Sequence, residues 1–162
     1  MTENHEHAIT RRSIIGGMAA STALGLSGEL RAEAEVALPD ADTIKHLAVA
    51  IDDVPTEEFE WGSLKWLLNA KRSPGAEQTV GIAQILPGKA NPVHYHPNCE
   101  EVLYMISGRG RHGLGEETIE LTRGMALRIP RNVHHNLANT GWETILCLVT
   151  FSSGDRQTVF VQ

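Results

Sequence analysis

Two histidines, His94 and His96, stand one residue apart in the stretch GKANPVHYHPNCEEVLYMISG that covers residues 88–108. Side chains two apart in a β-strand project from the same face, so this pair aims two imidazole nitrogens at one point about 2 Å away, which is metal-ligand geometry. Pro97 and Asn98 break the strand with a turn. A turn there lets the next strand run back antiparallel and carries Glu100 or Glu101 to the histidine pair as a third ligand. A fourth comes from GMALRIPRNVHHNLAN, residues 124–139, where His134 and His135 are consecutive. Consecutive residues face opposite sides of a strand, so only one of the two can join the site.

The elements that must position these groups read as strands. The chain has 162 residues, 41% of them hydrophobic, which is enough for one domain with a core. Its formal charge is −6, with no basic cluster in the body of the chain, and this argues against a nucleic-acid partner. After residue 40, aliphatic and β-branched residues recur in short runs between Gly, Pro and Asn. Strands are expected over residues 59–69, where Trp61 or Trp66 covers a core face, and over 79–88, around 119–121, over 125–129, over 136–139 and over 143–151. Residues 108–113 read as a glycine-rich connection, residues 122–124 as a turn, and Asn139-Thr140-Gly141 as a hairpin turn. The sum is an all-β sandwich or barrel with Greek-key connections.

The amino terminus differs from this. Thr10-Arg11-Arg12-Ser13 precedes a short apolar run of small residues, too short to span a bilayer, and Ala32-Glu33-Ala34 follows as an A-x-A cleavage pattern. The segment resembles a twin-arginine export signal over residues 1–34. Residues 35–58 then form a linker and entering edge strand, with His46 a surface residue, and residues 59–162 form the barrel domain. Export implies a periplasmic or extracellular protein with no membrane segment in its mature form. Cys99 and Cys147 are expected as two free thiols, because Cys147 lies in an apolar strand where it serves as a small hydrophobe.

The two blocks together resemble the motifs of the cupin superfamily. Gly88, His94, His96, Glu101 and Gly108 fall at the spacing of the first motif, and Gly124, Pro130, Asn132, His135 and Asn139 at that of the second. The resemblance implies a single conical cupin barrel, a double-stranded β-helix of jelly-roll type, holding one metal. It implies His94, His96, Glu101 and His135 as ligands, and it excludes Glu100 and His134. Asn132 replaces the usual Gly, and Asn is the residue after Gly that best tolerates a left-handed turn. Met125 stands where the family often has an Asp that organises the turn. The metal is expected to be one divalent transition ion. Intrinsic affinity would favour Cu or Zn, with Ni also compatible, whereas folding in the cytoplasm before export favours Mn or Fe.

By alternation Leu103 and Met105 on the Glu101 strand and Leu137 beside His135 face inward, with Gln84 either pocket-lining or at the sheet surface. Tyr104 and His134 point away, and Glu100, Tyr95 and His112 complete the short list of acid or base candidates. Arg128 is the one basic residue considered for entry into the barrel. An apolar interior of this kind suits a small apolar or aromatic compound whose own oxygens chelate the metal. The expected activity is that of a metal-dependent, dioxygenase-like cupin. A cupin isomerase or lyase and a non-catalytic metal- or ligand-binding cupin are the other readings, and a homodimer is expected.

Overall fold

The computed structural model describes Ile44 and residues 47–161. The proposed signal segment, its cleavage site and His46 lie outside the described residues. Among the described residues, one short 3-10 turn, Ile51–Asp53, precedes eleven strands. These are β1 (Glu57–Phe59), β2 (Gly62–Leu68), β3 (Thr79–Ile85), β4 (His94–Tyr95), β5 (Glu101–Ser107), β6 (Arg109–Leu114), β7 (Glu117–Thr122), β8 (Ala126–Ile129), β9 (His135–Asn139), β10 (Ile145–Phe151) and β11 (Val159–Phe160). They form a six-stranded sheet in the order β1-β2-β3-β10-β5-β8 and a five-stranded sheet in the order β11-β4-β9-β6-β7. All the pairings are antiparallel. The fold is the all-β jelly-roll barrel.

Alternation along the strands decides what faces inward. On β5, Glu101, Leu103 and Met105 are buried while Val102, Tyr104 and Ile106 are exposed. On β10, Ile145, Cys147, Val149 and Phe151 are buried and their neighbours are half-buried. On β9, His135, Leu137 and Asn139 are the buried set. The core therefore fills the space between the sheets, with Ile85, Leu121 and Ile129 closing it.

Three expectations about connections are corrected. From β3 onward the chain changes sheet at every connection except the β6–β7 hairpin, so neither Pro97–Asn98 nor Asn139-Thr140-Gly141 closes a hairpin. The first carries the chain from β4 across to β5, and the second carries it from β9 across to β10. Glu101 thus reaches the histidines from the opposite sheet rather than from a neighbouring strand. The supposed glycine connection after residue 108 is strand β6. Gly110 serves close approach there and not a turn. A Cβ at that position would lie 2.5 Å from the Ala138 carbonyl oxygen and 2.7 Å from Ile145 Cδ1.

The two departures from the second motif are accommodated. Asn132 is the one non-glycine residue with positive φ, at 64°, among the described residues, and its N–H donates to the His96 carbonyl at 3.0 Å. In the turn before β8 the Met125 sulfur accepts from the Thr122 N–H at 3.4 Å, which supplies a weak version of the contact a carboxylate would make. Cys99 and Cys147 are free and buried.

Candidate metal centre

His94 lies on β4 opposite His135 on β9, His96 follows β4 directly, and Glu101 opens β5 in the facing sheet. One donor atom from each of the four lies within 4.8 Å of the others. Nε2 of His96 and Nε2 of His135 each stand 3.2 Å from Glu101 Oε2. Glu101 enters from a strand register that places Phe151 on one side of it and Ile129 on the other, so its carboxylate sits in apolar surroundings and is 5% exposed. Its neighbour Glu100 faces outward, where Oε2 accepts from Arg128 Nη2 at 2.6 Å and Nε at 2.9 Å. His134 is exposed and stacks on Tyr95.

Hydrogen bonds at the back of each ring set the state of its front. Nδ1 of His94 is 2.8 Å from the Pro92 carbonyl, Nδ1 of His135 is 2.8 Å from the Val133 carbonyl, and Nδ1 of His96 is 2.7 Å from the Gln157 carbonyl. A carbonyl only accepts, so each Nδ1 carries the proton, and a neutral ring then turns a bare lone pair at Nε2 toward the centre. Burial, with His135 nearby, lowers the His94 pKa from 6.5 to about 4 and keeps that ring neutral at pH 7. For Glu101, burial works upward, but the contacts with His135 and His96 outweigh it and hold the carboxyl at about 2. With each Nδ1 engaged by a carbonyl, the three Nε2 atoms and one carboxylate converge on a single point, and among the described residues His96 Nε2 has no well-aligned hydrogen-bond partner. This is an acceptor cage that a cation would satisfy, and the donor set of three imidazoles and one carboxylate fits a divalent transition metal.

The centre opens on a cavity of about 380 Å³ between the sheets. Leu103 and Leu137 line it, as expected. Gln84 and Met105 do not. Gln84 sits on the outer face of β3 and accepts from Ser63 Oγ, because the buried positions of that strand are Ala83 and Ile85. Met105 points inward but is fully buried in the core, further along β5 than the cavity reaches. Trp61, Trp66 and Phe151 supply the aromatic wall.

Two polar residues make the interior less uniform than the sequence pattern implies. His112, inward on β6, is 1% exposed, stacks on His135 at 5.8 Å and, among the described residues, has no hydrogen-bond partner for Nδ1. Burial, with His135 beside it, lowers its pKa to about 4. Arg156 also lines the cavity, whereas Arg128 is held outside by Glu100. His112 was visible as a candidate, but Arg156 lies beyond the last long strand in a segment without a motif, and no sequence signal marked it.

A jelly-roll barrel with a three-histidine, one-glutamate cage between its sheets defines a metal-site barrel of the cupin kind. Residues 81–151 match the family model described as a cupin domain, and the chain belongs to the cupin superfamily. It is 34% identical over 93 residues to protein SchB of Streptomyces halstedii, covering 57% of this chain and 67% of that one. It is 29% identical over 102 residues to the polyketide synthase protein CurC of Streptomyces cyaneus, covering 63% of this chain and 66% of that one. Among solved structures it is similar to the formate complex of Lactobacillus farciminis oxalate decarboxylase, with 26% identity and a TM-score of 0.64. That match covers 68% of this chain and 34% of the decarboxylase, so the chain spans about a third of that protein's length.

Proposed function

We propose that this cupin is a metal-dependent enzyme, an oxygenase acting on a small metal-chelating compound with an apolar or aromatic body. The observation that carries the reading is the acceptor cage of His94, His96, Glu101 and His135 opening directly onto a cavity walled by Trp61, Trp66 and Phe151. Mn or Fe bound there would supply Lewis acidity and a redox partner for O₂ and a chelated substrate. The chain's own residues do the rest. The carbonyls of Pro92, Val133 and Gln157 fix the three imidazoles. The aromatic wall excludes water from a flat substrate, and the buried His112 ring forms part of the cavity lining. Similarity to a protein named for polyketide synthesis supports a polyketide-type compound as the substrate.

The test is oxygen consumption by the metal-loaded chain against flavonols, diketones, catechols and thiols. Uptake is expected with at least one chelating aromatic class and is expected to vanish on chelation of the metal. Full metal occupancy with no uptake across the panel would replace this reading with that of a binding cupin.

We further propose that the protein is a homodimer joined through the outer face of the six-stranded sheet. Cross-strand register there aligns Ile82, Leu148 and Tyr104 in one row and Val80, Thr150 and Val102 in the next, a contiguous apolar patch on a long sheet. Sedimentation equilibrium should give a dimer that Tyr104→Lys converts to a monomer. A wild-type monomer at micromolar concentration would refute it.

A further inference from the structure

Arg156 sits in the segment between β10 and β11, and the backbone on both sides of it is tied down by one side chain. Asn98 Nδ2 donates to the Asp155 carbonyl at 2.6 Å, and the Gln157 N–H donates to Asn98 Oδ1 at 2.9 Å. The Gln157 carbonyl in turn accepts from His96 Nδ1. The segment that presents Arg156 is therefore built onto the metal centre itself.

The guanidinium carbon lies 4.2 Å from the Trp66 ring centroid and 5.0 Å from that of Phe151. Phe151 also meets His96 edge-on at 4.9 Å, so the cation and the candidate metal centre flank one aromatic side chain. Arg156 donates from Nη1 to Thr158 Oγ1, and among the described residues it forms no ion pair. The nearby carboxylates are otherwise engaged. Glu57 accepts from Trp66 Nε1, and Glu101 belongs to the acceptor cage. Burial lowers the Arg156 pKa from its ordinary value, the mark of a charge partly stripped of water. A guanidinium remains charged there at neutral pH, and among the described residues only Thr158 Oγ1 accepts from its five N–H groups. Holding such a group beside an apolar cavity is unfavourable until an anion pairs with it.

We propose that Arg156 is a specificity-determining residue that pairs with the carboxylate of the substrate, making the compound taken by this cavity a small aromatic or aliphatic acid. This rests on the cavity being the substrate site. The acid's carboxylate lies against Arg156 and its body against Trp66 and Phe151, while a second oxygen is directed toward the His94–His96–Glu101–His135 cage.

Calorimetric titration of the full chain, metal-free and zinc-loaded, with benzoate against benzamide and salicylate against salicylamide tests this. Each acid should bind about tenfold or more tightly than its amide in both metal states. That arm needs no variant. Arg156→Met, which keeps the stem packed on Trp66, should erase the preference while leaving amide binding and zinc content unchanged, and Arg156→Lys should keep part of it. The proposal is overturned if acids and amides bind alike, if no acid binds at millimolar concentration, or if the preference survives Arg156→Met. A preference seen only with zinc and surviving Arg156→Met would assign the anion to the metal, leaving the reading of the cavity as the substrate site standing.

Discussion

Glu101→Gln will lose bound metal on the order of a hundredfold in affinity, and Glu100→Gln will keep it. The two substitutions are identical in chemistry and adjacent in sequence, and they differ in the face of β5 they occupy. Glutamine keeps the volume of Glu101 and so the packing against Phe151 and Ile129, but it removes the one negative charge from a cage whose other members are imidazoles. Removing the Glu100 charge only frees Arg128 at the surface, where an ion pair contributes about 1 kcal/mol or less. His135→Ala and His134→Ala should separate in the same sense, since His135 is buried in the cage and His134 lies outside against Tyr95. Metal content by mass spectrometry and competition with a chromophoric chelator read the result. Equal losses within either pair would mean that the strand register is wrong, because a one-residue slip exchanges the two faces.

Asn139→Ala will destabilise the fold by about 3 kcal/mol, far more than its size suggests. The residue is 3% exposed and stands where the chain leaves β9 for the opposite sheet. Its Nδ2 donates to the Ile85 and Glu143 carbonyls, each at 2.8 Å, and its Oδ1 accepts from the Gly141 N–H at 2.9 Å. Alanine leaves the buried Ile85 carbonyl unpaired and removes both bonds that hold the partly buried turn at Gly141 and Glu143. Asn139→Asp should be no milder, because a carboxylate has no N–H for those carbonyls. Urea denaturation should show a lower midpoint at unchanged slope. A loss below about 1 kcal/mol would mean that the corner is held by its backbone bonds alone.

Period-two alternation made the buried face of β5 and β9 readable, and with it the choice of Glu101 and His135 once the motif spacing was recognised. Alternation is a local property and survives whatever the strand pairs with. Which sheet a strand joins is not local. The turn at Pro97 and Asn98 has the same residue chemistry whether it closes a hairpin or carries the chain across the barrel, so the facing position of Glu101 was hidden. Gly110 misled for a related reason: a glycine demanded by a neighbour's backbone looks like a glycine demanded by a turn. Arg156 shows the limit most sharply. Its place in the cavity depends on Asn98, 58 positions earlier, clasping the chain on either side of it, and no periodicity encodes that contact.

The central claim is that the cage between the sheets holds a divalent metal, and the most direct measurement is the metal content of the purified wild-type chain. Protein folded with Mn, Fe, Zn and Cu available and then dialysed should retain about one ion per chain by mass spectrometry. Chelation should lower its thermal midpoint and readdition should restore it, since an ion bound only to the folded state stabilises that state. A chain that retains almost no metal, and whose midpoint chelator leaves unmoved, would contradict the account.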